Sequence, residues 1–460
     1  MKKVALSPTN RKKIVVALSG GVDSSVAAYL LHKKLSPHQN DDNKNAQVNE
    51  LVGLFMNNWN ELDEDRDSPP TEKLTNDRRN IYEKSHQKYC EKSEQDMKDA
   101  ESVCDALHIK LHRANFTSDY WIDVFTPFVD EVEKGRMLNP DMKCNSKIKF
   151  GAMKEYAMSQ LNATHIATGH YARLWYRSND DDFLGEYLSK SSSSFFPSAN
   201  RMPSFVEEGL KKEDGSNDWI ETWGLGSSSS FSYVPKESSS PSLQKLCPLL
   251  LAAADSKKDQ SYFLSDVKGS AFQNVLFPLG DLLKINNRNQ NHNQNMTIHE
   301  GNNDPSPLSV REIAAQAKLP NATKRESMGI CFIGKRRFPN FISEYIHNKP
   351  PPGYFICVDT QRVVGSHDGS GHLLTIGQGA KISGASQKWF VCDKDYSNGN
   401  VTVCERTHHP ALYSNELYVR MNDWNWIGME MPLPLLQGNN IRGLCRIRHL
   451  QPLLSCNIMW

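Results

Sequence analysis

A glycine- and serine-rich turn near the start of the chain has the residue types and spacing of a phosphate site. Ser19-Gly-Gly-Val-Asp-Ser24 follows the apolar run Ile14–Leu18 and precedes the apolar run Val26–Leu31. The first run is typical of a buried parallel strand, and the second of the opening turns of a helix. Glycine lets the backbone turn tightly against a ligand, and a helix start presents unpaired N–H groups that favour anions. The sequence therefore predicts a strand, a phosphate-binding turn and a helix.

The turn lacks the lysine that a Walker loop carries after its last glycine. Ser-Gly-Gly-x-Asp-Ser resembles instead the PP-loop of ATP pyrophosphatases, which split ATP into AMP and pyrophosphate. This resemblance assigns to ATP the residues Ala17, Leu18, Ser19, Gly20, Gly21, Val22, Asp23 and Ser24. The alternative is a turn without a ligand, in which the Asp and Ser side chains cap the helix.

Two cysteines stand in contexts that suit thiol chemistry. Cys144 follows an Asn-Pro-Asp turn that leads into a helical pattern, and Lys143 and Lys147 flank it. A helix start and nearby lysines both favour the thiolate. Asp141 is close enough in sequence to move a proton in the same pocket. Cys331 lies between glycines among apolar neighbours, and the alternative for both cysteines is a structural, buried thiol.

The elements around these motifs alternate between strand and helix patterns. Strands are predicted at Leu51–Met56, Ile109–Ala114 and Thr164–Thr168, and helices at Ile81–Leu107 and Asp119–Gly135. This order predicts an α/β fold with a Rossmann-like, mostly parallel sheet, whose ligands lie beyond the carboxyl ends of the strands.

Composition divides the rest of the chain. With 460 residues, two or three domains are expected. The first spans residues 10–335, with a Ser-rich insertion near 176–244 and an Asn/Gln-rich one near 286–304, both too polar to bury a core. Beyond residue 350, short apolar runs alternate with turns and predict two small β-rich modules, 336–395 and 396–460. Trp424 and Trp426 are predicted to lie on one face of a strand, in a β core, rather than to form a base-stacking platform.

Bulk properties exclude several classes of protein. A net charge of +1 leaves no global nucleic-acid signature, so an RNA site would be a local patch. No apolar run approaches the roughly 18 residues of a membrane span. The 10 cysteines have irregular spacings without a C-x-x-C pair, which predicts reduced thiols and no metal site. The N-terminal residues 1–22 are basic and contain no acidic residue, a weak similarity to a transit peptide.

Together, the turn and the two cysteine motifs make the chain resemble the tRNA-specific 2-thiouridylases, particularly their mitochondrial branch. The segments that carry the resemblance are Ala17–Ser25, Leu54–Trp59, Asn139–Asn145, Ala167–Arg173, Asp255–Phe263, Phe277–Gly280, Met328–Gly334 and Thr375–Gly379. The resemblance implies an adenylation domain, then the two β-rich modules, of which the last is a β-barrel.

The resemblance also implies a role for individual residues. Cys144 corresponds to the catalytic nucleophile, Cys331 to the persulfide carrier, and Met56 and Gly169 to adenosine contacts. The tRNA contacts that it implies are Asn139, Pro140 and Asp141 at the target base, His170, Lys258, Asp259 and Gln260 nearby, and Ala411, Leu412 and His449 in the C-terminal barrel. A basic stripe that could follow the tRNA backbone consists of Lys143, Lys147, Lys149, Lys257, Lys258, Lys324, Arg325, Lys335, Arg336 and Arg337.

The activity implied is ATP-dependent 2-thiolation of the wobble uridine of tRNA. ATP would convert the C2 oxygen of uracil into an adenylate, and a cysteine persulfide would supply sulfur and displace AMP. Mg²⁺ is expected with ATP. The expected partners are tRNAs for lysine, glutamate and glutamine and a persulfide donor such as a cysteine desulfurase or sulfur-relay protein. A monomer without membrane attachment is expected, in the mitochondrion or else in a plastid or the cytoplasm.

Two alternatives from other classes stay open. Another PP-loop enzyme, such as a lysidine synthetase or an amidating ligase, would use the same ATP chemistry without either cysteine. A catalytically inactive tRNA-binding protein would bind tRNA without producing pyrophosphate, and the intact Ser19–Ser24 turn argues against it.

Overall fold

The computed structural model describes residues 12–35, 50–59, 93–175, 248–285, 308–326, 338–348, 350–427 and 431–460. Both predicted insertions lie outside these ranges, as do Cys331 and the basic residues Lys335, Arg336 and Arg337.

A five-stranded sheet forms the centre of the first domain. Its order is β3-β2-β1-β4-β7, and every neighbouring pair is parallel. The strands are β1 (Lys13–Leu18), β2 (Glu50–Asn57), β3 (Lys110–Asn115), β4 (His165–Ala167) and β7 (Val275–Leu276). The predicted α/β fold with a parallel sheet is confirmed.

The apolar run in β1 is continuous because both faces of the sheet are covered. Val15 and Ala17 pack into a cluster with Tyr120 and Phe125 on one face. Ile14, Val16 and Leu18 pack on the other face against the first helix. A strand that is buried on both sides gains from apolar residues at every position.

Besides short 3-10 helices, seven longer or α-type helices accompany the strands in the described residues. They are α1 (Val22–Leu35), α2 (residues 93–106), α3 (residues 117–133), α4 (residues 140–159), α5 (Val310–Gln316), α6 (Phe338–Ile342) and α7 (Leu433–Leu436). Helices α3 and α4 each contain a π-helical stretch, Trp121–Phe125 and Cys144–Ala152 respectively. Among the described residues, no helix has both the length and the apolar character needed to span a bilayer.

The β-rich region follows residue 350. Its main sheet has the order β10-β11-β12-β8-β9, in which β8 and β12 are parallel and the other pairs antiparallel. The strands are β8 (Gly353–Cys357), β9 (Val363–His367), β10 (Gly379–Ala380), β11 (Trp389–Lys394) and β12 (Val401–Glu405). Because β12 pairs with both β8 and β11, this sheet continues beyond position 395 to Glu405.

The C-terminal residues differ in detail from the sequence expectation. In the described part of 406–460, β13 (Ile441–Cys445) and β14 (Leu454–Ile458) form a two-stranded antiparallel sheet. Trp424 and Trp426 lie in no strand; their rings stack with centroids 5.2 Å apart at an interplanar angle of 10°. The strand prediction for these two residues was wrong because Asn425 anchors the segment by donating to the carbonyls of Ser265 and Val267.

The remaining paired strands, β5 (Arg173–Trp175) and β6 (Leu249–Leu251), form a small antiparallel sheet. A half-buried lysine joins the first domain to the main sheet of the β-rich region. Lys394 donates to the carbonyl oxygens of Gly135, His372 and Leu374 at 2.8–3.0 Å. Burial lowers the pKa of Lys394 to about 8.

Candidate active site

The topology of the sheet opens a crevice between β1 and β4. From β1 the chain continues to one side of the sheet, through β2 and β3, and from β4 it continues to the other side. In open α/β sheets, ligands bind at the carboxyl ends of strands where the order reverses in this way. The turn at residues 19–21 leaves β1 at that edge, and residues 168–171 leave β4 beside it.

The turn after β1 is fixed by its own serines. Gly20 has a φ of +69°, and a Cβ there would collide with the carbonyl oxygen of Asp96, so the position requires glycine. The hydroxyl of Ser24 accepts from the amide of Ser19 at 3.2 Å and donates to the carbonyl of Gly21 at 3.0 Å. The hydroxyl of Ser25 donates to the same carbonyl at 2.9 Å. These bonds hold the turn in shape at the start of α1.

Gly169 lies directly against the first turn of α1. A Cβ on Gly169 would stand 2.8 Å from the amide nitrogen of Ser24, so only glycine leaves space there. Met56 lies half-buried near the end of β2, and the buried side-chain oxygen of Asn58 has no hydrogen-bond partner among the described residues. A nucleotide fits this edge, because it offers helix N–H groups, a cleft kept open by glycine and an unused acceptor.

Four polar residues that the sequence did not assign to a role surround the turn. Lys284 pairs with Asp23, and its amino group lies 3.5 Å from the carboxylate of Glu326. The hydroxyl of Tyr171 donates to Asp23 at 2.9 Å, and burial together with the Asp23 charge raises the pKa of Tyr171.

The fourth residue is Asn321. Its amide group donates to the carbonyl of Gly20 and to the hydroxyl of Ser25, both at 2.9 Å. One feature of the sequence could have pointed to Lys284. It closely follows Phe277–Gly280, one of the segments that carry the family resemblance. Asn321 belongs to no motif that would have found it.

Cys144 lies in the second turn of α4. The helix start predicted at Asn-Pro-Asp is confirmed, since the side chain of Asn139 accepts from the amide of Asp141 at 2.9 Å. Cys144 comes after the first α-helical turn and begins the π-helical stretch, and its side chain is only 3% exposed. Lys143, predicted to favour a thiolate, is paired with Asp266 at 3.1 Å.

His170 connects the loop after β4 with the Cys144 helix. One ring nitrogen lies 2.7 Å from the hydroxyl of Thr168, and the other lies 3.2 Å from the side-chain oxygen of Asn145. Lys149 donates to the same oxygen at 2.9 Å. Burial, with Lys149 nearby, lowers the pKa of His170 well below 6.5, so the ring is neutral at pH 7.

Asp141 lies half-buried in the first turn of α4. Burial raises the pKa of its carboxyl, and the charge of Lys149 opposes that shift. A carboxyl group with a raised pKa can exchange a proton closer to neutral pH than an ordinary aspartate can.

The residues predicted to contact tRNA occupy different environments. Asp259 is 1% exposed, and its carboxylate accepts from the amide of Ala253 and from Arg446. The side chain of Gln260 accepts from the amide of Tyr171 at 2.9 Å. Both side chains are therefore engaged in shaping their loop.

The segment between β13 and β14 contacts the loop that contains Asp259 and Gln260. A ring nitrogen of His449 donates to the carbonyl oxygen of Asp259 at 2.9 Å, and the ring lies 4.5 Å from that of Phe263. Ala411 and Leu412 lie in the separate 3-10 helix Pro410–Leu412, where the amide of Ala411 donates to His409.

The predicted basic stripe is partly neutralised. Lys258 pairs with Glu326 at 2.8 Å, and Lys324 pairs with both Asp96 and Asp99. Lys147, Lys257 and Arg325 are exposed. In the described part of the chain, no group of three or more His, Cys, Asp or Glu side chains could hold a metal ion.

Comparison with known proteins gives matches along most of the chain. A model described as "tRNA methyl transferase HUP domain" matches residues 12–196, 236–305 and 304–335. A second model, described as "tRNA methyl transferase PRC-barrel domain", matches residues 339–405.

Several curated proteins are similar over nearly the whole chain. Mitochondrial tRNA-specific 2-thiouridylase 1 of Mus musculus is 35% identical over 446 residues, which cover 97% of this chain and 81% of that protein. The Homo sapiens protein of the same name is 34% identical, over 97% of this chain and 80% of its own length. The tRNA-specific 2-thiouridylase MnmA of Malacoplasma penetrans (strain HF-2) is 34% identical, over 95% of this chain and 85% of its own length. The chain therefore belongs to the tRNA-specific 2-thiouridylase family.

Proposed function

We propose that this protein is an ATP-dependent sulfurtransferase that converts the wobble uridine of tRNA to 2-thiouridine. The observation that carries the proposal is the path of three consecutive residues after β4. Gly169 packs on the first turn of helix α1, Tyr171 binds Asp23 in the same helical turn, and His170 binds the residue next to Cys144. The candidate nucleotide site and the helix that carries Cys144 therefore contact one short segment.

ATP is proposed to bind at the turn after β1, with Met56 and Gly169 toward the adenosine. The C2 oxygen of uracil is a poor leaving group, and its attack on the α-phosphate makes it an adenylate. The pyrophosphate that departs would be stabilised by amide groups at the start of α1. Mg²⁺ would neutralise phosphate charge, and Asp23 is a carboxylate in this turn that could bind it.

The sulfur is proposed to arrive as a persulfide on Cys331. Its terminal sulfur attacks C2, the C2–O bond breaks, and AMP leaves with the bonding electron pair. The thiolate of Cys144 then attacks the sulfur of Cys331, which releases 2-thiouridine and leaves a Cys144–Cys331 disulfide. An external dithiol supplies the two electrons that reopen the disulfide.

The target base must leave its stack to reach this pocket. We propose that Asn139, Pro140 and Asp141 contact it, and that Asp141 moves a proton during the transfer. His170, neutral and buried, would position Asn145 beside the thiol. Lys258, Ala411, Leu412 and His449 are proposed to contact the rest of the tRNA, while Asp259 and Gln260 act by shaping their loop.

The proposed partners are wobble-uridine tRNAs and a persulfide donor, a cysteine desulfurase or a sulfur-relay protein. The relatives named mitochondrial support the mitochondrion as the location. We propose that the enzyme acts as a monomer with the three predicted domains, 10–335, 336–395 and 396–460, except that the second boundary moves to Glu405 because β12 belongs to the sheet of the second domain.

The test combines the purified full-length protein with ATP, tRNA transcript and a persulfide donor. Mass spectrometry should find sulfur in place of oxygen at the wobble uridine, with pyrophosphate released in equal amount. The mass increment also distinguishes thiolation from the methyl transfer that the family-model descriptions mention.

Substitution of either cysteine separates the alternatives. Cys144→Ser and Cys331→Ser should abolish thiolation, and Cys392→Ser, at a half-buried thiol in β11, should not. Activity that survives both of the first two substitutions would favour a lysidine synthetase or an amidating ligase. Binding of tRNA without pyrophosphate release would favour an inactive binding protein.

A further inference from the structure

We propose that Lys284 binds the departing pyrophosphate of ATP, and that Asp23 and Glu326 hold its ammonium group before ATP arrives. This inference deepens the proposed function and rests on it. It assigns a phosphate-binding cation to a turn that has none in its own sequence.

Lys284 is almost completely buried. Its side chain is 3% exposed. Its backbone amide donates to Asp255 at 2.9 Å, which fixes the residue beside the crevice. A buried ammonium group is costly unless negative charge compensates it, so this position requires anionic partners.

The anionic partner Asp23 lies at the start of helix α1, where the phosphates of ATP would bind. Asp23 is in the first turn of α1, and it accepts from both Lys284 and the hydroxyl of Tyr171. The ammonium group also lies 5.8 Å from the centre of the Tyr171 ring. Phosphate oxygens at the start of α1 would therefore approach the same ammonium group. Because that group has three donors, it can retain Asp23 and still bind phosphate.

The sequence distance explains why no motif revealed this lysine. A Walker loop carries its lysine within the turn, but Lys284 reaches Asp23 from 261 positions away in the chain. The strand order brings it there, since β7, which precedes Lys284, lies next to β4.

Glu326 provides a way to distinguish phosphate binding by Lys284 from a purely structural role of its ion pairs. It lies 3.5 Å from Lys284 and 2.8 Å from Lys258, and both lysines lower the pKa of its carboxyl. An ionised Glu326 competes with pyrophosphate for Lys284. Removal of that negative charge should therefore strengthen pyrophosphate binding, an effect that a purely structural role for Lys284 does not predict.

The experiment measures equilibrium binding of inorganic pyrophosphate, ATP and AMP to the full-length protein. Lys284→Gln should weaken pyrophosphate and ATP binding by about 10-fold or more, the loss expected for one charge-assisted hydrogen bond. AMP binding should change by less than about 2-fold, because AMP lacks the β- and γ-phosphates. Lys284→Arg should keep part of the affinity, and Lys268→Gln, at an exposed lysine, should keep all of it.

Glu326→Gln gives an independent result if Lys284→Gln does not fold. It should bind pyrophosphate more tightly than the wild-type protein. Unchanged or weaker binding by Glu326→Gln, or equal weakening of AMP and pyrophosphate by Lys284→Gln, would overturn the inference. Wild-type protein that binds pyrophosphate through Lys284 but makes no thiolated tRNA would refute the proposed function and leave this inference standing.

Discussion

The ring of His170 lies 3.2 Å from the side-chain oxygen of Asn145, the residue that follows Cys144. Gly169, the neighbour of His170, packs on the amide of Ser24 in the opposite wall of the crevice. A single peptide segment thus sets the distance between the candidate nucleotide site and the candidate nucleophile. Substitutions in this segment should affect both sites at once.

His170 should make the stability of the protein depend on pH. The folded state keeps the ring neutral because its pKa is well below 6.5, whereas the unfolded chain binds a proton near that pH. Stability is therefore fully present above about pH 6.5 and is lost as the pH falls toward the folded-state pKa.

Denaturant midpoints of the wild-type protein at pH 7 and pH 5 measure this loss. His170→Asn removes the titrating group, so its midpoint should change less between the two pH values. His408→Asn, at an exposed histidine, should behave like the wild-type protein. An identical pH dependence in His170→Asn and the wild type would refute the argument.

Gly20→Ala should destabilise the protein by more than the cost of placing an alanine at positive φ. An alanine at positive φ costs about 1 kcal/mol, and the collision with Asp96 adds to that cost. The midpoint temperature of thermal unfolding and the affinity for ATP should both fall. Gly384→Ala is the matched control, because Gly384 has a φ of +78° but nothing within 4 Å of a Cβ. Equal destabilisation by the two variants would mean that the turn can shift and relieve the collision with Asp96.

Asp141 should set an acidic limb in the pH profile of thiolation. Burial raises the pKa of its carboxyl above 3.8, and a proton acceptor must be ionised. Single-turnover thiolation should therefore decline as the pH falls, and it should begin to decline at a higher pH than an ordinary aspartate would give. Asp141→Asn should lower the rate and remove this limb, whereas Asp119→Asn, at an exposed carboxylate in α3, should do neither. If the decline at low pH persists in Asp141→Asn, another titrating group causes it.

Cys144 should react slowly with alkylating agents in the free protein. Its side chain is 3% exposed, whereas Cys445 is half-buried and more accessible. Peptide mass spectrometry after brief iodoacetamide treatment should find Cys445 modified well before Cys144. Addition of ATP and tRNA should increase modification of Cys144, because the proposed reaction requires its thiol to leave the buried position and reach the sulfur of Cys331. Rapid modification in the free protein would show that the burial is not maintained in solution.

The parts of the site that local patterns determine could be predicted from the sequence. The strand, turn and helix around Ser19–Ser24 and the helix cap at Asn139 depend on neighbouring residues, and both are found. Lys284 and Asn321 could not be predicted, because they reach the turn from 261 and 301 positions away. Such contacts depend on strand order and on the packing of remote segments, which periodicity does not encode. The misassigned Trp424 has the same explanation, since a remote loop anchors its neighbour Asn425.

The π-helical stretch Cys144–Ala152 is nine residues long, and it joins a thiol to a helix whose later turns are buried in the core. Loss of one residue from that stretch would let ordinary helical winding return and would rotate everything before it by about 100° around the axis. Cys144 belongs to the same buried cluster, so the rotation would remove its side chain from that packing and change the position of the thiol. Descendants of this gene should consequently conserve the number of residues between Cys144 and Met153 more strictly than the identity of the exposed ones.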